Sequence, residues 1–98
     1  MDDRLLKLRI LTPAGAVAET ECDTVLLTLA DGRNGRGGGS VGIRSGHAAA
    51  IMALADGEAT AERDGKAVLR AHVASGFASV SDDVVTVLSD SAALAASE

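Results

Sequence analysis

Val73-Ala74-Ser75-Gly76-Phe77-Ala78-Ser79-Val80 runs through Ser81-Asp82-Asp83 into Val84-Val85-Thr86-Val87-Leu88-Ser89-Asp90-Ser91-Ala92. Both valine-rich runs alternate with the period of a strand, and an acidic turn joins them, so the stretch reads as a β-hairpin. Upstream, Asp64-Gly65 is a two-residue hairpin signal between residues 58–63 and 66–73. At the other end of the chain, Leu6, Leu8 and Ile10 alternate with Lys7 and Arg9, marking a half-buried first strand. Pro13-Ala14-Gly15 supplies a turn, proline fixing φ and glycine permitting a positive one. A second strand follows from about Val17 to Cys22, and a third covers Thr24 to Leu29. This density of short strands and tight turns predicts an all-β chain: a flattened antiparallel β-sandwich of about nine or ten short strands.

Composition narrows what such a sandwich can do. Ninety-eight residues make one small domain with its own core and no room for a second. Phe77 is the only aromatic residue, so the core must be built from Leu, Val, Ile and Ala. A net charge of −5 with scattered acids argues against nucleic-acid binding, and without Trp or Tyr there is no base-stacking platform. Cys22 stands alone, which excludes an intrachain disulfide and a cysteine-based zinc site and fits a reducing compartment. Met1-Asp2-Asp3-Arg4 is unlike a signal or transit peptide, and no apolar run approaches the ~20 residues of a membrane span. The expectation is a soluble, cytoplasmic chain that meets a membrane only through partners.

Several short motifs invite a chemical reading. Gly37-x-Gly39-x-x-Gly42 matches the dinucleotide fingerprint, but that site needs its last glycine to open a helix inside a βαβ unit. Here Gly42 leads into the β-like Val41-Gly42-Ile43-Arg44. Gly38-Gly39-Ser40-Val41-Gly42 fits the nucleophile elbow of serine hydrolases, which needs a strand-to-helix turn on a large α/β sheet. His47 and His72 have no scaffold that would aim them at that serine. Two histidines with scattered acids do not make a metal site. No catalytic constellation and no cofactor site are expected. His47 follows Gly46 where a loop enters a strand, and two readings stand: a hydrogen-bonded loop histidine or an interface residue. Asp31 to Ser40 holds five glycines and two arginines and reads as a mobile loop. With Arg44, its Arg33 and Arg36 make the only local basic cluster.

The hairpin also carries a resemblance. Val73–Val80 followed by Val84–Ala92 is similar to the close of the β-sandwich domain in the epsilon subunit of F-type ATP synthases, a Val-x-Gly-Gly-Phe-x-x-Val strand and then Val-Thr-Val-Leu-Ala-Asp-x-Ala. Leu8-Arg9-Ile10-Leu11-Thr12-Pro13-Ala14-Gly15 resembles that family's first strand and Thr-Pro-x-Gly turn. Val41-Gly42-Ile43-Arg44-Ser45-Gly46-His47-Ala48 resembles its Phe-Gly-x-x-Pro-Gly-His-Ala segment, with Val41 for the aromatic residue and Ser45 for proline. Glu21, Asp23 and Val25 follow the first turn in the family's order.

The resemblance implies a non-catalytic rotor subunit of a proton-translocating ATP synthase. It would be peripheral at the cytoplasmic face of a bacterial-type membrane, couple the ring of c subunits to the gamma shaft and bind no cofactor. It implies a gamma contact at Ser45, Gly46 and His47, and a ring contact at Arg33, Arg36, Gly37, Gly38, Gly39 and Ser40. It implies strand over residues 47–55, where propensity alone favours helix, and continuity of the sheet agrees. The expected sandwich spans residues 1–92 with a short tail over 93–98. Asp90-Ser91 would cap a brief helical turn through Leu94–Ala96, and the family's C-terminal helical hairpin would be absent. Without proline, the Ser45 corner should be less rigid. The alternative is a free-standing sandwich that binds a small ligand through its glycine loop.

Overall fold

The computed structural model describes residues 5–30 and 37–95. They form ten strands: β1 (Leu6–Thr12), β2 (Gly15–Cys22), β3 (Thr24–Ala30), β4 (Gly37–Arg44), β5 (Ala50–Leu54), β6 (Gly57–Arg63), β7 (Lys66–Val73), β8 (Gly76–Ser81), β9 (Val84–Ser89) and β10 (Ala92–Leu94). No helix occurs among the described residues. Hydrogen-bonded neighbours run β10-β7-β6-β3-β5-β8-β9-β1-β2, with β4 on the free flank of β3. The path folds over on itself through β3, whose first residues pair with β6 and whose Leu29 pairs with Leu54 of β5. β2 comes back against β6, β7 and β10, which makes the sandwich a nearly closed, flattened barrel.

Two hairpins have the turn chemistry their sequences announce. Asp64 and Gly65 take φ of 55° and 79°, and Asp82 and Asp83 take 51° and 62°. Positive φ at both central residues is the type I′ turn, whose twist matches the strands on either side. A two-residue turn imposes antiparallel pairing on the strands it joins, whereas strands without a short connection can pair either way. β1 and β9 have no short connection between them, and they pair in parallel, Lys7 opposite Val84 through Leu11 opposite Leu88.

Besides Ala55-Asp56, which passes from β5 to β6 without pairing them, two other two-residue links are crossings rather than hairpins. β7 pairs with β6 and β10, whereas β8 pairs with β5 and β9, so Ala74-Ser75 and Asp90-Ser91 each carry the chain between layers. Ser89 ties both crossings together. Its buried hydroxyl lies 2.8 Å from the Ala74 carbonyl and 2.8 Å from the Ser91 carbonyl. Gly76 is required beside it, because a Cβ there would collide with the Leu88 carbonyl.

The core is aliphatic, as a chain with one aromatic residue demands. Leu6, Leu8 and Ile10 of β1 meet Val25, Leu27, Ile43, Val80, Val85 and Val87. Ala59, Ala61, Ala71 and Ala78 keep the interior thin. Of the expected strand over 47–55, residues 50–54 form it, since pairing with β8 overrides the helix preference of Ala, Met and Leu, whereas residues 47–49 and 55 lie outside any strand.

The polypeptide differs from the sequence expectation at two places. Gly37–Ser40 is not loop: it begins β4 and pairs with Ala30 through Thr28, because the free flank of β3 offers a ladder that glycine accepts. The turn expected through Leu94–Ala96 is not helical at Leu94 and Ala95, Ala96 lying outside the described residues: Ala92–Leu94 adds to the open flank of β7, Ala92 opposite Val73, and Ala95 N–H donates to the Arg70 carbonyl. The sandwich therefore continues past residue 92.

Candidate interaction surfaces

Along β4 the chain runs from one end of the sandwich to the other. Gly37 starts beside Ala30, and Arg44 ends beside Thr24. The Ser45-Gly46-His47 corner and the glycine-rich segment are thus kept apart by the eight residues of β4, roughly 25 Å at ~3.3 Å per residue. Of the expected ring-contact residues, Gly39 and Ser40 lie exposed on β4, while Arg33 and Arg36 fall outside the described residues.

The corner itself is a tight turn. His47 N–H donates to the Arg44 carbonyl at 3.1 Å, and Gly46 sits at φ +88°. That is the arrangement of a type II turn, which favours glycine at its third position and proline at its second, here Ser45. Asp83 reaches the corner from the β8–β9 turn. Its carboxylate accepts the Gly46 N–H at 2.8 Å and the Ser45 hydroxyl at 3.1 Å. The Asp83 carbonyl accepts the Lys7 N–H at 2.9 Å. A looser corner was expected from the missing proline, and these bonds supply a restraint that proline would otherwise give. His47 is half-buried with its Nδ1 2.8 Å from the Ala48 carbonyl. It satisfies the hydrogen-bonded reading and keeps part of its ring open to a partner. His72 is exposed on β7 opposite Glu58.

The same end holds a second carboxylate brace. Asp23 accepts the Asp64 N–H at 2.8 Å and the Thr24 hydroxyl at 3.0 Å, fixing the β6–β7 turn to the β2–β3 link. The Asp64 amide and then the Thr24 hydroxyl hold the Asp23 carboxyl below its ordinary range, with Arg44 and Arg63 adding to the effect. Next to it, burial pushes the Cys22 thiol up to about 11, and the Asp23 charge adds to the rise.

At the opposite end, Ala53, Phe77, Leu88 and Leu11 stand in one cross-strand row over β5, β8, β9 and β1. Phe77 is 57% exposed, Leu88 50% and nearby Ile51 79%. Exposed large apolar side chains grouped on one face mark an interaction surface more often than scattered ones do. A groove borders the row, walled by Pro13, Phe77, Leu88 and Asp90. Sequence reading missed both this row and Asp83. Alternation marked the residues as strand without saying which face stays uncovered. An aspartate at the turn position where Asp64-Gly65 has glycine was a usable signal.

Among the described residues, no three His, Cys, Asp or Glu side chains are grouped to hold a metal ion. What the polar groups do instead is brace turns and leave two surfaces at opposite ends, the organisation of a small β-sandwich interaction module. The family described as ATP synthase, Delta/Epsilon chain, beta-sandwich domain matches residues 5–95, and the chain belongs to that family. Its fold is similar to a chain in the Euglena gracilis mitochondrial ATP synthase structure containing OSCP, F1 and the c-ring. The TM-score is 0.71 at 22% identity, over 92% of this chain and 53% of that one. A chain of the Tetrahymena thermophila mitochondrial ATP synthase central stalk and c-ring matches with a TM-score of 0.64 at 12% identity, over 94% of this chain and 68% of that one. The chain thus spans about half the length of the Euglena chain. No curated protein matches it by sequence.

Proposed function

We propose that the chain is a non-catalytic central-stalk subunit of an F-type, proton-translocating ATP synthase, joining the gamma shaft to the membrane ring of c subunits. The observation that carries this reading is the family match across nearly the whole sandwich. Membership in the Delta/Epsilon beta-sandwich family supports this role, and the geometry suits it. Two contact regions at opposite ends of a stiff, nearly closed sandwich let one small domain touch two partners and transmit torque between them. The corner at Ser45, Gly46 and His47 meets the shaft. The segment holding Arg33 and Arg36 and continuing into Gly37–Ser40 meets polar loops of the ring. Arginine there makes charge-assisted contacts with acidic or carbonyl groups. The subunit forms and breaks no bond and needs no cofactor; it sits at the cytoplasmic face of the membrane, held by its partners.

The test is co-purification of the full chain with the gamma subunit and c-ring encoded in the same genome, followed by proton-driven ATP synthesis in reconstituted vesicles with and without it. Binding to both partners and a loss of coupled synthesis on omission are expected. A chain that binds neither partner overturns the reading.

A further inference from the structure

We infer that Asp83 is a positioning residue: it holds the Ser45-Gly46-His47 corner in its docking shape from a hairpin turn remote in sequence. The inference rests on the reading above that this corner meets the shaft. It begins with a position where aspartate is not what the turn asks for. Asp83 sits at φ +62° in a type I′ turn, a backbone region that glycine enters without a Cβ penalty. The molecule contains its own control. In the equivalent turn, Asp64-Gly65, the second central residue is glycine. Asp83 keeps a side chain at a place where glycine is cheaper, and both carboxylate oxygens are used.

One oxygen accepts the Gly46 N–H at 2.8 Å and the other the Ser45 hydroxyl at 3.1 Å, across 37 and 38 residues of sequence. The carbonyl of Asp83 is fixed in turn by Lys7 N–H at the start of β1. The aspartate therefore rests on the core strands and presses its restraint outward onto the corner. A turn so held loses less conformational entropy on docking, so the restraint strengthens binding without itself touching the partner.

Three variants of the full chain test this. Asp83→Gly removes the carboxylate while giving the turn a residue suited to its φ, so the fold is kept. Asp83→Asn keeps an oxygen acceptor for Gly46 N–H. Asp83→Gly with Ser45→Pro replaces the lost restraint by the ring that favours the second position of a type II turn. The first readout is amide hydrogen exchange at Gly46 in the free chain: protected in the native protein and in Asp83→Asn, unprotected in Asp83→Gly. The second is affinity for the gamma subunit, expected to fall about tenfold in Asp83→Gly, the scale of one lost contact, and to recover most of that in the proline double variant.

An unprotected Gly46 amide in the native chain overturns the inference. So does unchanged gamma affinity in Asp83→Gly, or a loss that proline does not restore, which would make Asp83 a direct contact. If the native chain binds no gamma subunit while the exchange pattern holds, the proposed function fails and the brace itself stands.

Discussion

At the scale of single residues, His47 is half-buried, and its Nδ1 contact is to the next residue's carbonyl rather than to the core. His47→Ala should weaken gamma binding by about 1–2 kcal/mol and leave the melting temperature nearly unchanged. Calorimetric titration beside a thermal melt separates the two effects. An unfolded variant would make the histidine structural. Cys22 gives a chemical check on the core. Its thiol is wholly buried and held at about 11, so it should resist alkylation at neutral pH until the protein unfolds. Mass shift against denaturant concentration reads this directly.

Asp23 predicts a pH effect whose sign follows from its brace. Its folded carboxyl titrates below its unfolded value, so its stabilisation is present above the unfolded pKa, about 3.9, and lost as pH falls through the folded pKa. Melting temperatures of the native chain and Asp23→Ala should therefore differ at pH 7 and converge in acid below about pH 4. A gap that persists undiminished in acid would mean that Asp23 contributes through packing rather than charge.

Among the elements, the Ala74-Ser75 and Asp90-Ser91 crossings are demanding, since each link has only two residues. Ser89→Ala removes a hydroxyl that donates its one proton to either the Ala74 or the Ser91 carbonyl, and the Ser91 carbonyl keeps the Ala74 N–H. A loss of about 0.5–1.5 kcal/mol is expected from chemical denaturation, the scale of one net hydrogen bond. Gly76→Ala forces a methyl against the Leu88 carbonyl and should cost at least as much. Both changes spare the Asp83 brace at the far end, so Gly46 amide protection should persist in each. The hairpins were legible because Asp64-Gly65 signals a type I′ turn locally and the acidic Ser81-Asp82-Asp83 separates two alternating runs. The crossings were not, because Ala74-Ser75 and Asp90-Ser91 look like any short turn, and what distinguishes them is the layer each neighbouring strand joins.

For the whole molecule, the decisive feature is that the two proposed contacts sit at opposite ends of β4. Substituting Arg33 and Arg36 by alanine should weaken attachment to the c-ring, most visibly at low salt, and spare the gamma contact. His47→Ala should do the reverse. Because the two contacts have different partners, the triple variant should show each loss at its separate size. Affinity for each partner, measured across a salt series, checks this. A gamma affinity that falls with the arginine changes would place both contacts on one surface.

The sequence by itself determined the strands, the aliphatic core and the family, because alternation, turn residues and motif order are local and survive distant relationship. Tertiary structure decided what depends on residues far apart in the chain. It set the parallel pairing of β1 with β9, and it drew Gly37–Ser40 and Ala92–Leu94 into the sheet through the open flanks of β3 and β7. It left Phe77, the one aromatic side chain, outside the core. It also turned the Asp83 side chain to the Ser45 corner. Each of these is fixed by which strand comes to lie beside which, and no local pattern encodes that.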